Sequence, residues 1–199
     1  MTVHSLPGVQ LCAAMGCNRV VLSRELSREE IRYICANSPI EIEVFGHGAL
    51  CMCYSGQCYL SAAIGGRSGN RGLCAQPCRL AFRWPGDKKP GHPLSLKDMS
   101  LAGELQDLED MGVACLKIEG RMKRAEYVSI VTGIYSSAMG EHREPTKEEL
   151  SQLEAAFSRQ GFTQGYYEGN IGSHMFGVRE ENQEDYIWLK EIRQSYESG

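Results

Sequence analysis

Short apolar runs alternating with capped, amphipathic segments predict an α/β fold with parallel strands. Three runs carry the strand expectation: RVVL at 19–22, EIEVF at 41–45 and VACLKI at 113–118. Such runs suit strands buried on both faces of a parallel sheet. Segments of helical period stand between them, and the strand–helix–strand order is the right-handed βαβ unit.

The elements follow in order. PGVQLCAAMG reads as the tail of a helix ending at Gly16, with the first strand after it. Ser27 and Glu30 form a capping box, in which hydroxyl and carboxylate satisfy unpaired backbone donors, and the helix runs to about Ala36 before Pro39. Beyond the second strand and a cysteine-rich stretch, LAGELQDLEDMG places Leu101, Leu105, Leu108 and Met111 on one helical face closed by Gly112. After the third strand, a long helix from about Lys123 to Met139 puts Tyr127, Ile130, Val131, Ile134 and Ala138 on one stripe. Thr146 and Glu149 repeat the capping box for a helix through about Arg159 that stops at Gly161. GDKKPGHP at 86–93 reads as a turn or linker, and the tail from Glu180 is polar.

At 199 residues and 42% hydrophobic content, the chain can bury one sizeable core. A formal charge of -4 and a pI near 5.8 give no whole-chain attraction to nucleic acid or membrane, so such partners must be argued locally. No apolar run approaches the roughly 18 to 20 residues that span a bilayer, and MTVHSLPGVQ lacks the regions of a signal peptide, so the chain reads as cytoplasmic. Three strands are too few to close an eight-stranded barrel, which takes about 250 residues. The fold is then a small open sheet or part of a larger one, and a start in mid-helix favours the second.

Nine cysteines without an export signal argue for metal ligation or thiol chemistry over disulfides. Cys12, Cys17, Cys35 and Cys115 lie in apolar stretches and read as buried packing residues. Cys51, Cys53, Cys58, Cys74 and Cys78 crowd together, with six residues between Cys51 and Cys58, fifteen to Cys74 and three to Cys78. Four thiolates suit tetrahedral zinc or an iron-sulfur cluster. Zinc ligands usually come in close pairs, and only Cys74 and Cys78 make one here, so the spacing favours a cluster.

The run Glu43-Val-Phe-Gly-His-Gly-Ala-Leu-Cys51-Met-Cys-Tyr-Ser-Gly56-Gln-Cys58-Tyr-Leu-Ser61 resembles the signature of the collagenase-like peptidase family, family thirty-two of unknown catalytic type. IGGRSGNRGLCAQPCR at 64–79 and LKIEGRMKRAEYV at 116–128 resemble it too, and GGRSGNRG is most similar to the subgroup that hydroxylates a ribosomal RNA cytidine. The resemblance implies a partial TIM-like (β/α) barrel, incomplete at the N-terminus, with a cysteine-rich insertion. Residues 1–140 would be its C-terminal half, carrying the cysteine cluster at 51–78, and 141–199 a helical and loop extension. It implies a four-iron four-sulfur cluster on Cys51, Cys58, Cys74 and Cys78 and, through the RNA-modifying members, a prephenate-derived oxygen donor. Some relatives place a ligand cysteine after a Lys-Asp-Leu-like triplet. Here Ser100 follows Lys97-Asp98-Met99, a departure from that pattern that supports Cys78 among the ligands the resemblance implies.

Chemistry separates the family's reactions. For a cysteine peptidase His47, four residues before Cys51, is the candidate partner, yet one nucleophile does not need four thiols. Glu43 is a candidate general base and also reads as a structural partner for an arginine. An RNA partner finds local support in the six basic residues Arg67, Arg71, Arg79, Arg83, Lys88 and Lys89, against one acidic residue, Asp87. Arg121, Lys123 and Glu119 follow the third strand, where barrel enzymes place active-site loops. The expectation is an iron-sulfur hydroxylase of an RNA base, catalysing through Glu43, His47 and Glu119 and binding substrate through Arg67, Arg71, Arg79, Arg121 and Lys123. The alternatives are a peptidase acting on a peptide substrate, and a non-catalytic fragment that joins a missing N-terminal barrel half or associates with itself.

Overall fold

In the computed structural model, residues 2–120 and 123–178 are described; Arg121 and the polar tail lie outside them. Side-chain alternation along the strand Glu41–Ala49 organises the rest. Ile42 and Val44 are buried with Val9, Leu22, Ile31, Ile34 and Leu108 in the larger of two cores. Glu43, between them, meets Lys117 Nζ at 3.3 Å and Arg19 at 3.9 Å. The sheet thus has an apolar face and a face of paired charges, which corrects the expectation of strands apolar on both sides.

Among the described residues the strands are β1 (Arg19–Val21), β2 (Glu41–Ala49), β3 (Asp98–Ser100), β4 (Cys115–Ile118) and β5 (Phe162–Thr163). β1 and β4 pair with β2 in parallel, as the βαβ reading requires. β3 runs antiparallel to β2, with His47 opposite Ser100 and Ala49 opposite Asp98, and β5 lies parallel to β3. The sheet is therefore mixed. It is also open: among the described residues β1 and β4 pair with no strand but β2, apart from a single bridge between Val3 and Leu22. These strands do not by themselves close a barrel.

β2 runs four residues past the expected Phe45 because its glycines serve the pairing. Gly48 has φ +118°, and a Cβ there would fall 2.7 Å from the Glu119 carbonyl oxygen. Only glycine lets β2 pass this close to the end of β4. β3 and β5 are three and two residues long, too short to show a period.

The helices are α1 (Leu6–Ala14), α2 (Arg28–Asn37), α3 (Leu60–Gly65), α4 (Leu105–Asp110), α5 (Ala125–Gly140) and α6 (Lys147–Ala156). Both capping boxes form, Ser27 with Glu30 before α2 and Thr146 with Glu149 before α6. A 3-10 turn, Ala102–Glu104, replaces the expected first turn of α4. The stripe on α5 packs against Leu153 of α6, Leu105 and Ala102 in the second core. α6 ends before Arg159 because Phe157 turns extended and the chain carries Arg159 inward to Asp98. Cys17 is exposed, since it follows the Gly16 turn between α1 and β1; Cys12, Cys35 and Cys115 are half-buried. No described helix is long and apolar enough to cross a membrane.

Candidate cysteine-rich functional site

The carboxyl ends of β1, β2 and β4 gather most of the chemistry, where open parallel sheets place their ligands. β1 leads to Arg24 and Glu25, β2 to Cys51, and β4 to Glu119. Arg24 donates to Glu119 at 2.8 Å and lies 3.9 Å over the Phe45 ring. Glu25 accepts from both the backbone N–H and the hydroxyl of Ser55, fixing the loop between Cys53 and Cys58. Asn70 donates to the Gly56 carbonyl at 2.8 Å, and Ala75 N–H to Ser61 Oγ at 3.1 Å, so residues 51–61 and 69–78 are tied together.

The four expected ligands lie on these two tied segments, Cys51 and Cys58 on the first and Cys74 and Cys78 on the second. Burial pushes the Cys51 thiol up, the charge of Arg24 and Arg79 pulls it back, and Cys78 and Cys74 raise it further. Cys78 is likewise raised by burial, opposed by Arg79, and feels Cys74 and Cys58. Cys74 Sγ receives the Gln76 N–H at 3.3 Å and the Ser61 hydroxyl at 3.8 Å. Cys53 interacts with Cys58. Four soft donors on the two segments, with Arg24 and Arg79 acting on Cys51 and two hydrogen-bond donors on Cys74, are the donor chemistry that an iron-sulfur cluster takes. Among the described residues no three Cys, His, Asp or Glu side chains converge closely enough to hold a single ion.

The remaining candidates are placed as follows. Glu43 lies within β2 between Lys117 and Arg19, in the structural role of an ion-pair partner. Glu119 is held by Arg24. Arg67 donates to the Leu73 carbonyl at 3.0 Å, and both Arg67 and Arg71 are exposed. Arg79 donates to the carbonyls of Leu96 and Leu50, each at 2.5 Å, so its guanidinium clamps the end of the cysteine stretch to the sheet. Lys123 lies over the Tyr127 and Phe157 rings. Arg121 falls outside the described residues.

His47 is buried among Tyr127, Tyr135 and Phe162, whose ring centroids lie 5.9, 5.5 and 5.0 Å away. The Tyr135 hydroxyl donates to the Gly46 carbonyl at 2.9 Å and sits 3.1 Å from His47 Nδ1. With its one proton so used, the hydroxyl accepts from Nδ1–H, leaving Nε2 as a buried acceptor. Burial, reinforced by Lys123, lowers the His47 pKa to about 3. Such an imidazole is neutral at neutral pH, whereas a thiolate–imidazolium pair needs it charged.

Sequence reasoning missed Arg24, Glu25, Tyr135 and the buried Asp98–Arg159 pair, which closes at 2.5 Å. Arg24 and Glu25 follow a strand as Glu119 does, so the strand-end rule could have found them. Asp98 and Arg159 lie 61 positions apart and carry no local signal.

With this geometry in place, a family model described as Peptidase family U32 matches residues 1–176. The chain belongs to peptidase family U32. It is 41% identical over 138 residues to the "23S rRNA 5-hydroxycytidine C2501 synthase" of Escherichia coli (strain K12), covering 67% of this chain and 21% of that one. It is 37% identical to the "tRNA hydroxylation protein P1" of Bacillus subtilis (strain 168), over 85% of this chain and 44% of that one. A "Collagenase" of Porphyromonas gingivalis (strain ATCC BAA-308 / W83) is 36% identical over 84% of this chain and 47% of its own. This U32 chain therefore spans less than half the length of each of these relatives. No solved structure matches it significantly.

Proposed function

We propose that this U32 chain takes part in the oxygen-independent hydroxylation of an RNA base, a ribosomal RNA cytidine or a similar pyrimidine, in the cytoplasm. What supports the reading is the run of Cys51, Cys58, Cys74 and Cys78 that follows β2, in a stretch with six basic residues and one acidic one. The names of the relatives supply the RNA and the hydroxylation.

The four cysteines would hold an iron-sulfur cluster, which supplies electron transfer when bound. The protein's own part is electrostatic and positional. Burial raises the Cys51 thiol and Arg24 and Arg79 oppose that rise, while Ser61 and Gln76 donate to Cys74. Glu119, oriented by Arg24, faces the same strand ends and is the carboxylate we assign to the substrate. Glu43 and His47 support the strand from within. Arg67, Arg71, Arg121 and Lys123 are assigned to RNA phosphates, and Arg79 to holding the loop that presents them. Replacing C–H by C–OH is a two-electron oxidation that needs both an oxygen source and a two-electron acceptor; the family resemblance implies a prephenate-derived oxygen donor, and the two electrons would pass, one at a time, to an external oxidant while the proton leaves to solvent. The outer edges of β1 and β4 would be covered by further barrel strands or by a second copy of the chain.

Anaerobic preparation followed by iron and acid-labile sulfide analysis tests the cluster. Brown protein should lose its visible absorbance on Cys51→Ala, Cys58→Ala, Cys74→Ala or Cys78→Ala and keep it on Cys35→Ala or Cys115→Ala; zinc without sulfide would sink the reading. A nucleoside profile of cells lacking the full-length protein should lack one hydroxylated pyrimidine. The likeness to a collagenase keeps a second reading, peptide hydrolysis, which metal-independent cleavage of gelatin with unchanged nucleosides would favour.

A further inference from the structure

The stretch from Cys51 to Pro93 leaves aromatic rings in solvent. Tyr54 is 73% exposed, Tyr59 72% and Trp84 67%; among the described residues the one other large exposed aromatic is Tyr33. Their backbones are fixed. Tyr54 adjoins Ser55, which Glu25 holds by two hydrogen bonds. Tyr59 is the N-cap of α3, whose Ser61 is buried and bonded to the 74–75 segment. Trp84 stands on a hairpin closed by the paired Phe82 and Gly91, and its N–H donates to Asp87 at 2.9 Å. Three uncovered rings within one stretch, on backbones held by hydrogen bonds, offer flat apolar area to a partner.

Charge selects the partner. Arg67, Arg71, Arg83, Lys88 and Lys89 are all exposed in the same stretch, and its one carboxylate, Asp87, is engaged by the Trp84 N–H. Aromatic faces among cations suit a polyanion that offers flat apolar groups of its own. Single-stranded nucleic acid does so, whereas in a duplex the base faces are stacked away.

We infer that Tyr54, Tyr59 and Trp84 form a stacking platform for the unpaired bases of a single-stranded RNA segment, whose phosphates are met by Arg67, Arg71, Arg83, Lys88 and Lys89. This rests on the RNA reading above and deepens it: the substrate is a loop or an opened strand, presented beside the cysteine site with its bases splayed.

The chain has two tryptophans, so a Trp188→Phe background leaves Trp84 as the reporter. The full chain, prepared anaerobically, is titrated with a short pyrimidine-rich RNA, single-stranded or annealed to its complement. Single-stranded RNA should quench Trp84 saturably, and the duplex should bind at least ~10-fold more weakly. Tyr54→Ala and Tyr59→Ala, and Trp84→Ala followed by anisotropy of labelled RNA, should each weaken binding by about 10- to 100-fold with unchanged melting temperatures. Tyr59→Phe should restore it. Lys88→Gln with Lys89→Gln should flatten the salt dependence while quenching persists at low salt. Equal binding of the duplex, alanine variants as tight as the parent, or equal competition by an acidic peptide would overturn the platform. Chain-dependent hydroxylation with unaffected alanine variants removes the platform and leaves the hydroxylase standing; stacking without any chain-dependent hydroxylation upholds the platform and removes the hydroxylase.

Discussion

The strand-and-helix half of the molecule and the cysteine stretch solve opposite problems with one chain. In the first, Ile42, Val44, Leu22 and Ile34 are buried beside capped helices, and Glu43 on the far face of β2 is paired with Lys117. In the second, residues 51–93 hold only α3 and two 3-10 turns, and Tyr54, Tyr59, Leu80 and Trp84 face solvent. A scaffold gains stability by hiding its side chains, whereas a binding loop must show them and borrows its stability from anchors into the scaffold. Glu25 and Arg79 are such anchors.

Breaking the comparison should cost most where a scaffold charge is buried. Asp98→Ala leaves Arg159 buried without its partner and should destabilise the protein by about 3–5 kcal/mol in chemical denaturation. An effect as small as that of a surface substitution would deny the division into scaffold and loop.

Acid acts next, through His47. Its folded pKa of about 3 lies below the unfolded 6.5, so between these values the unfolded chain binds more protons. Stability should therefore fall as the pH drops from 6.5 towards 3, by at most ~1.4 kcal/mol per unit from this residue. His47→Phe should lessen the slope of the melting temperature in that window. The charged groups facing the ring include Lys123, whose charge opposes protonation; the Tyr135 hydroxyl is neutral throughout.

Gly48→Ala should cost about 1–3 kcal/mol, since it combines a positive φ with a collision against Glu119. It should also disturb the Arg24–Glu119 pair, and an unperturbed melt would refute the close approach of β2 and β4. Thr146→Ala removes the cap of α6 and should cost about 1 kcal/mol. At the small end, Leu80→Ala and Tyr59→Ala should change stability by less than about 0.5 kcal/mol, although the second impairs RNA binding. A large loss of stability at Tyr59 would make its ring part of the scaffold.

The same division explains what could be read in advance. Capping boxes and apolar runs are local, so α2, α6, β1 and the start of β2 were visible in a few residues each. What escaped depends on partners distant in sequence: β3 and β5 are strands only because β2 and β3 lie alongside them, and Arg159 enters the interior only to reach Asp98. The strand was expected to end at Phe45, and its continuation through Gly48 depends on the approach of Glu119 from β4.

β2 pairs with β1, β3 and β4, and β5 reaches the sheet through β3. β1 and β4 lose their strand pairing if β2 lets go, and β3 keeps only its short pairing with β5, so opening from the middle dismantles most of the sheet at once. In native-state hydrogen exchange the amides bonded to β2, such as Leu22, Leu101, Ala114 and Glu119, should share one slow rate set by global unfolding. Cys51, two residues past the end of this strand, would then be carried on the part of the molecule that opens last.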